Sequence, residues 1–233
     1  EICGLGQFAL FLGEKEVNEG IYEPGWTNYR KRCLYSTYDV TDFLQSGENA
    51  IRVLLGNGMY HEDGNRYVKF TGSFGDPVLA AALRLTFADG RETVICTDEN
   101  WYTCPGPVLF SSIYGGEDYD AREDRWKRKI AGNDWTAAGL SQGPGGILTA
   151  ADFPVVQIQA RIEPKKRTVL PDGRVFLDFG RNFAGKIQIQ VAGSRGQVVR
   201  VTPGELLDEK GEIDQQYTRD PHYYRYTLDG EES

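Results

Sequence analysis

One methionine, two histidines and four cysteines are all that 233 residues contain of those types, and each scarcity sets aside a class of protein. With only His61 and His222 available, a histidine-based metal site is poorly supplied with ligands. Cys3, Cys33, Cys96 and Cys104 are too few for a disulfide scaffold of this length and lack CxxC zinc spacing, so they read as buried free thiols. No apolar run approaches the roughly 20 residues that a membrane helix needs. Cationic charge is also in deficit: 26 Lys and Arg against 34 Asp and Glu leave a net charge of -8, which opposes the phosphate attraction behind nucleic-acid binding. Nucleic acid and membrane are therefore not expected as partners. Glu1 to Leu12 lack the cationic start of a signal peptide, yet the chain opens without Met, so trimming and compartment stay open. No internal repeat or low-complexity tract occurs.

What is present is a globular composition, 40% hydrophobic and 26% charged, with 28 Gly, 10 Pro, 13 Tyr and 11 Phe. Aromatic richness favours strands, and apolar residues alternate with period two at several places. Ile51, Val53 and Leu55 form one such face, ended by Gly56-Asn57-Gly58. Leu79, Ala81, Leu83, Leu85 and Phe87 form another, and Asp89-Gly90 then offers hairpin chemistry before Thr93 to Thr97 returns. Val175, Leu177 and Phe179, then Ile187, Ile189 and Val191, then Tyr224, Tyr226 and Leu228 predict three more strands. Helix is expected only as short turns, at Val40 to Ser46, with Thr41 as cap, and around Asp134 to Ala138. The fold class predicted is all-β, with two consecutive antiparallel sandwich or jelly-roll modules.

Composition shifts at Gly139 to Asp152, where Gly143-Pro144-Gly145-Gly146 and small residues read as a linker or long surface loop. This places one module over residues 1–150 and a second over residues 151–233. The second is short for an independent sandwich, and it ends in a turn-like stretch after a strand. It is expected to be incomplete and to need further chain or a partner sheet.

Two polar loops hold the candidate site residues. Asn57, Asp63 and Asn65 lie in the loop after the Ile51 strand, as carbohydrate ligands, with Asp63 and Asn65 also as calcium ligands; turn formation is the competing reading for all three. Glu117 and Asp120 lie in an acidic, aromatic-flanked stretch, where carboxylates beside rings suit a sugar with an apolar side. The competing reading pairs Arg122 with Asp120 or Glu117 and takes precedence, because semi-buried charges need partners. Trp26 and Trp101 are stacking candidates, but a large ring is more often core, and that reading leads for both. Asp178-Phe179-Gly180 lacks the companions of a kinase magnesium triplet, and Gly4-Leu5-Gly6 lacks the third Gly of a dinucleotide fingerprint.

Several phrases, in order, resemble bacterial α-L-rhamnosidases of glycoside hydrolase family 78. They are Pro24-Gly25-Trp26-Thr27-Asn28-Tyr29-Arg30-Lys31-Arg32, Tyr35-Ser36-Thr37-Tyr38-Asp39-Val40-Thr41, Leu55-Gly56-Asn57-Gly58-Met59-Tyr60, Gly116-Glu117-Asp118-Tyr119-Asp120-Ala121-Arg122 and Asp178-Phe179-Gly180-Arg181-Asn182-Phe183-Ala184-Gly185. Met59 stands where that family usually shows Trp, and Arg181 where it shows Gln. The resemblance is to the non-catalytic N-terminal modules. It implies a parent enzyme that hydrolyses terminal α-L-rhamnose by inversion, with its acid and base in a helical barrel that this chain lacks. No catalytic residue is carried over. One branch of the family uses the first sandwich as a calcium-dependent rhamnose-binding module, so a rhamnose-containing glycoside and calcium are the implied partner and cofactor. The alternative is a purely structural module without a ligand.

Overall fold

The computed structural model describes residues 1–18, 20–62, 64, 66, 69, 72–123, 135–218 and 220–230. Strands come in chain order as β1 Ile2–Leu5, β2 Gln7–Leu12, β3 Lys15–Glu16, β4 Arg32–Tyr35, β5 Ile51–Gly56, β6 His61–Glu62, β7 Gly72–Ser73, β8 Val78–Thr86, β9 Glu92–Cys96 and β10 Tyr102–Thr103. Then follow β11 Val108–Ser112, β12 Gly116–Asp120, β13 Thr136–Ala137, β14 Ile147–Ala150, β15 Lys166–Val169, β16 Val175–Asp178, β17 Val198–Val201, β18 Leu206–Leu207, β19 Ile213–Asp214 and β20 Tyr223–Thr227. Helical structure among the described residues is confined to two single 3₁₀ turns, Thr41–Phe43 and Ala121–Glu123. The fold is all-β.

The alternation that marks strands in the sequence sets the core. Phe8, Leu10 and Leu12 on β2 point inward and meet Ile51, Val53 and Leu55 of the antiparallel neighbour β5. Burying side chains of this size stabilises by about 1.5–3 kcal/mol each. A second cluster gathers Cys3, Leu5, Tyr29, Cys33 and Tyr60 between β1, β4 and the loop after β5. The β8–β9 hairpin forms as expected, with Gly90 at φ +80° and the Asp89 carboxylate accepting from Arg91 N at 3.0 Å.

Two pairings join parts far apart in sequence. β14 lies parallel to β4, so the Gly-Pro-Gly-Gly stretch is a turn leading into a paired strand, and Gly146 fits because it has no Cβ, which would strike the Tyr29 carbonyl. β12 lies parallel to β20 within the four-stranded sheet β11-β12-β20-β17, which therefore takes strands from both halves of the chain. These two pairs depart from the expected all-antiparallel arrangement. Period-two patterning specifies faces, not partners, so it could not give strand direction.

Other local expectations are corrected. Ile187, Ile189 and Val191 belong to no ladder. Residues 136–137 form β13 rather than a helical turn, and Asp134 lies outside the described residues. The first 3₁₀ turn follows Val40 without a side-chain cap, so Thr41 does not cap it, and the Asp39 carboxylate accepts from Thr41 N at 3.0 Å in a local Asx turn. Cys3 and Cys33 are buried thiols, but Cys96 is exposed and Cys104 half-exposed. Among the described residues only Leu228 contributes a buried apolar side chain beyond Ala121. Val175, Leu177, Val198, Leu206 and Leu207 instead remain exposed, as in sheets whose apolar faces have no covering layer among the described residues, and Ile187 is exposed outside any ladder.

Candidate functional site

Between β3 and β4 the chain runs through a loop anchored from beneath by Glu23. This carboxylate is buried, accepts from Ser36 Oγ at 3.0 Å and Asn18 Nδ2 at 3.3 Å, and its backbone carbonyl accepts from Phe8 N at 2.9 Å. Pro24 and Gly25 then deliver Trp26 to the surface. Gly25 leaves no room for a Cβ, because the Phe153 ring lies against it. The Asn28 carbonyl accepts from Lys31 N at 2.8 Å and Arg32 N at 2.9 Å, while Thr27 Oγ1 donates to the Arg32 carbonyl. These bonds fix the direction of residues 26–28.

Next to this loop, Tyr29, Tyr60 and Phe74 form a tight aromatic group. Tyr29 meets Tyr60 edge-on at 5.1 Å and Phe74 edge-on at 5.2 Å, and Tyr60 stacks on Phe74 at 5.8 Å. Trp26, Thr27, Asn28, Met59 and Phe74 line an open recess of about 330 Å³. Trp26 is 69% exposed, which corrects the core reading of this ring. Period-two patterning carries no information about a loop tryptophan, and the Pro-Gly before it is the only local sign of a chain turned outward. An exposed indole beside a mixed polar and apolar recess is suited to stacking on the apolar face of a sugar.

The predicted site residues divide among different roles. Asn57 does not face the recess as a free ligand: its Nδ2 donates to the Ser111 carbonyl at 3.0 Å, and its own carbonyl accepts from Tyr60 N and His61 N at 3.2 and 3.1 Å. It makes the turn and ties β5 to β11. Asp63 and Asn65 lie outside the described residues. Asp120 is buried and held by Arg122, whose Nε and Nη2 donate at 2.9 and 2.6 Å. Those bonds hold its carboxyl below the usual carboxylate range, so the structural reading prevails there. Glu117 is half-buried, and burial pushes its carboxyl upward against the opposing pull of Lys186. Along β12, Glu117 alternates with Asp118 and shares no partner with Asp120, so these carboxylates do not converge on one ligand position.

Sequence reasoning passes over Asp118, Arg66, Arg225 and Glu62. Asp118 receives Arg66 at 2.5 Å on one oxygen and Arg225 at 2.6 Å on the other. Arg66 also lies over the rings of Tyr223 and Phe110, at 3.7 and 4.3 Å from their centroids. Glu62 is 1% exposed and accepts from Ser112 Oγ at 3.0 Å and Ile113 N at 3.2 Å, which fixes the β11–β12 turn. Among the described residues its Oε1 has no hydrogen-bond partner. No cation cage accompanies that oxygen: among the described residues no three His, Cys, Asp or Glu side chains gather around a common point.

Gly139-Leu140-Ser141-Gln142-Gly143 spells G-x-S-x-G, but it lies in an exposed loop, and Ser141 Oγ accepts from Gly143 N at 3.1 Å instead of standing at a strand-to-helix turn. The two histidines are engaged elsewhere, His61 with Ser73 Oγ and His222 with the Tyr114 carbonyl, both at 2.7 Å.

Comparison with known proteins settles the lineage. Residues 1–160 match the α-L-rhamnosidase N-terminal domain, and residues 168–233 match the bacterial α-L-rhamnosidase concanavalin-like domain. The chain belongs to the α-L-rhamnosidase family. It is 32% identical over 228 residues to an α-L-rhamnosidase of Formosa agariphila and 33% identical over 215 residues to one of Streptomyces avermitilis, covering 90% of this chain and 23% and 21% of those proteins. Among solved structures, the S. avermitilis α-L-rhamnosidase complexed with L-rhamnose superimposes with a TM-score of 0.91 at 29% identity, over 100% of this chain and 23% of that one. The α-L-rhamnosidase of Dictyoglumus thermophilum gives 0.88 at 32% identity, over 99% and 26%. The chain corresponds to the N-terminal domains of that family and spans about a quarter of the length of these relatives.

Proposed function

We propose that this portion is non-catalytic, that it recognises L-rhamnose or a rhamnose-containing glycan at the Trp26 recess, and that it scaffolds a catalytic part of the parent enzyme. The parent would hydrolyse terminal α-L-rhamnose from glycosides by inversion, using an acid and a base from a helical barrel outside this chain. The observation that carries the binding reading is the exposed indole of Trp26 beside the recess floored by Met59 and Phe74. Scaffolding is supported by the uncovered apolar sheets of the second half and by relatives about four times as long. Non-catalysis is supported by the acids of β12, each held in its own environment rather than facing another across a cleft. Inverting pairs need two carboxyl groups about 6.5–9.5 Å apart around one substrate.

Calorimetry of the 233-residue chain with L-rhamnose, with and without Ca²⁺, tests this. Saturable heat that Trp26→Ala abolishes, with unchanged melting, is the expected result. Absence of heat in both conditions would leave the ligand-free structural module as the surviving description. A heat that appears only with Ca²⁺ would assign part of the site to a bound cation. The same chain is expected to release no p-nitrophenol from p-nitrophenyl α-L-rhamnoside.

A further inference from the structure

The turn that carries the recess also carries a run of cations. Asn28 lines the recess and begins a tight turn whose next exposed residues are Arg30, Lys31 and Arg32. The guanidinium of Arg30 lies 5.7 Å from the centroid of Phe74, which itself lines the recess, so this charge sits at the edge of the proposed sugar site. Arg66, Arg122, Arg174 and Arg225 are each clasped by carboxylates. None of Arg30, Lys31 and Arg32 is in an ion pair among the described residues. Three adjacent cations without an ion pair thus lie on this turn in a chain whose net charge is -8; Lys165, Lys166 and Arg167 form a similar run, but none of them lines the recess. Asp76, which acts on the Tyr60 hydroxyl, brings one opposing charge to the same region.

We infer that the recess takes an anionic saccharide, a rhamnosyl unit bearing or adjoining a carboxylate or sulfate, with Arg30 receiving the anion while Trp26 stacks on the sugar. This rests on the reading of the recess as a sugar site and names the ligand class. Arg30 suits that role because its planar fork of donors matches the oxygens of a carboxylate or sulfate, and its stacking on Phe74 restrains it without using those donors. The long-range field of an acidic protein would repel such a ligand, so a local cationic edge would be needed for capture.

The test uses the 233-residue chain and four probes: L-rhamnose, a rhamnosyl-uronate disaccharide, the same disaccharide with its carboxyl reduced to an alcohol, and L-rhamnose monosulfate. At low salt the uronate disaccharide is expected to bind at least about 5-fold more tightly than its reduced form, and the ratio should fall towards one in about 0.5 M NaCl. Arg30→Ala should remove the preference and leave L-rhamnose binding unchanged, whereas Arg30→Lys should retain part of it. If the sulfate and not the uronate is preferred over neutral sugar, the anion is a sulfate and the inference stands. Equal affinity for charged and neutral probes, with L-rhamnose still bound, overturns this inference alone. Failure of every probe to bind overturns the sugar-site reading with it.

Discussion

Arg66 and Asp118 meet at 2.5 Å with each side chain only 8% exposed, while Arg225 reaches the second oxygen of the same carboxylate from the C-terminal half. One buried carboxylate thus joins the loop after β6 to β12 and to β20. Removing one member of such a group strands the others without a partner. Asp118→Asn is expected to destabilise by about 3–5 kcal/mol, measured by chemical denaturation. Arg225→Ala, at a half-exposed side chain, should cost about 1 kcal/mol or less. Equal effects of the two substitutions would contradict the ranking by burial.

Trp26→Ala separates display from packing. The exposed ring contributes little to folding, so the stability change is expected within about 0.5 kcal/mol. A loss of about 3–5 kcal/mol would mean that the ring is core after all. Thermal melts beside calorimetry with L-rhamnose give both numbers from one protein preparation.

How much of the fold and site is legible in the sequence depends on what each pattern encodes. Alternation locates β5, β8 and β20 along the chain, because a half-buried strand must alternate, while β2 goes unread. It cannot show that β12 accepts β20 in parallel, a pairing between residues more than a hundred positions apart. Asp120 is legible as an arginine partner, since Arg122 lies two residues away and the pair closes locally. The Asp118 group is not, because its arginines come from positions 66 and 225. Trp26 reads wrongly as core because the average burial of tryptophan outweighs the loop that presents it.

Glu117 and Asp120 should respond oppositely to acid. The carboxyl of Asp120 is depressed by Arg122, so its contribution is present above the ordinary carboxylate pKa and is lost as pH falls through the lower folded value. Asp120→Asn should therefore lower stability at neutral pH and flatten its decline in acid. Glu117 is raised by burial, so its charged form opposes folding above the raised value, and that penalty disappears as the pH drops below the ordinary pKa. Glu117→Gln should leave stability at pH 7 equal or higher, with the difference vanishing in acid. Urea titrations from pH 7 to pH 3 distinguish the two signs.

The thiols should label in two classes. Burial, reinforced by Cys33, pushes the Cys3 thiol up to about 12, and burial also raises Cys33. The thiolate is the reactive form, so both should resist maleimide in the folded protein near pH 7.5. Cys96, exposed on β9, should react first. Mass spectrometry before and after denaturation counts the classes, and labelling of Cys3 in the native protein would sink the expectation.

The parallel seam between β12 and β20 bears on how the N-terminal half could be isolated. A protein cut at residue 160, where the N-terminal family match stops, would retain β12 and lose β20. Its five residues Gly116–Asp120 would then present an unsatisfied row of amides and carbonyls, with Asp118 deprived of Arg225. Bare ribbon margins recruit further copies of themselves. A soluble N-terminal fragment of this protein must therefore keep the tyrosine-rich strand Tyr223–Thr227 as its guard, although that stretch belongs by descent to the neighbouring domain.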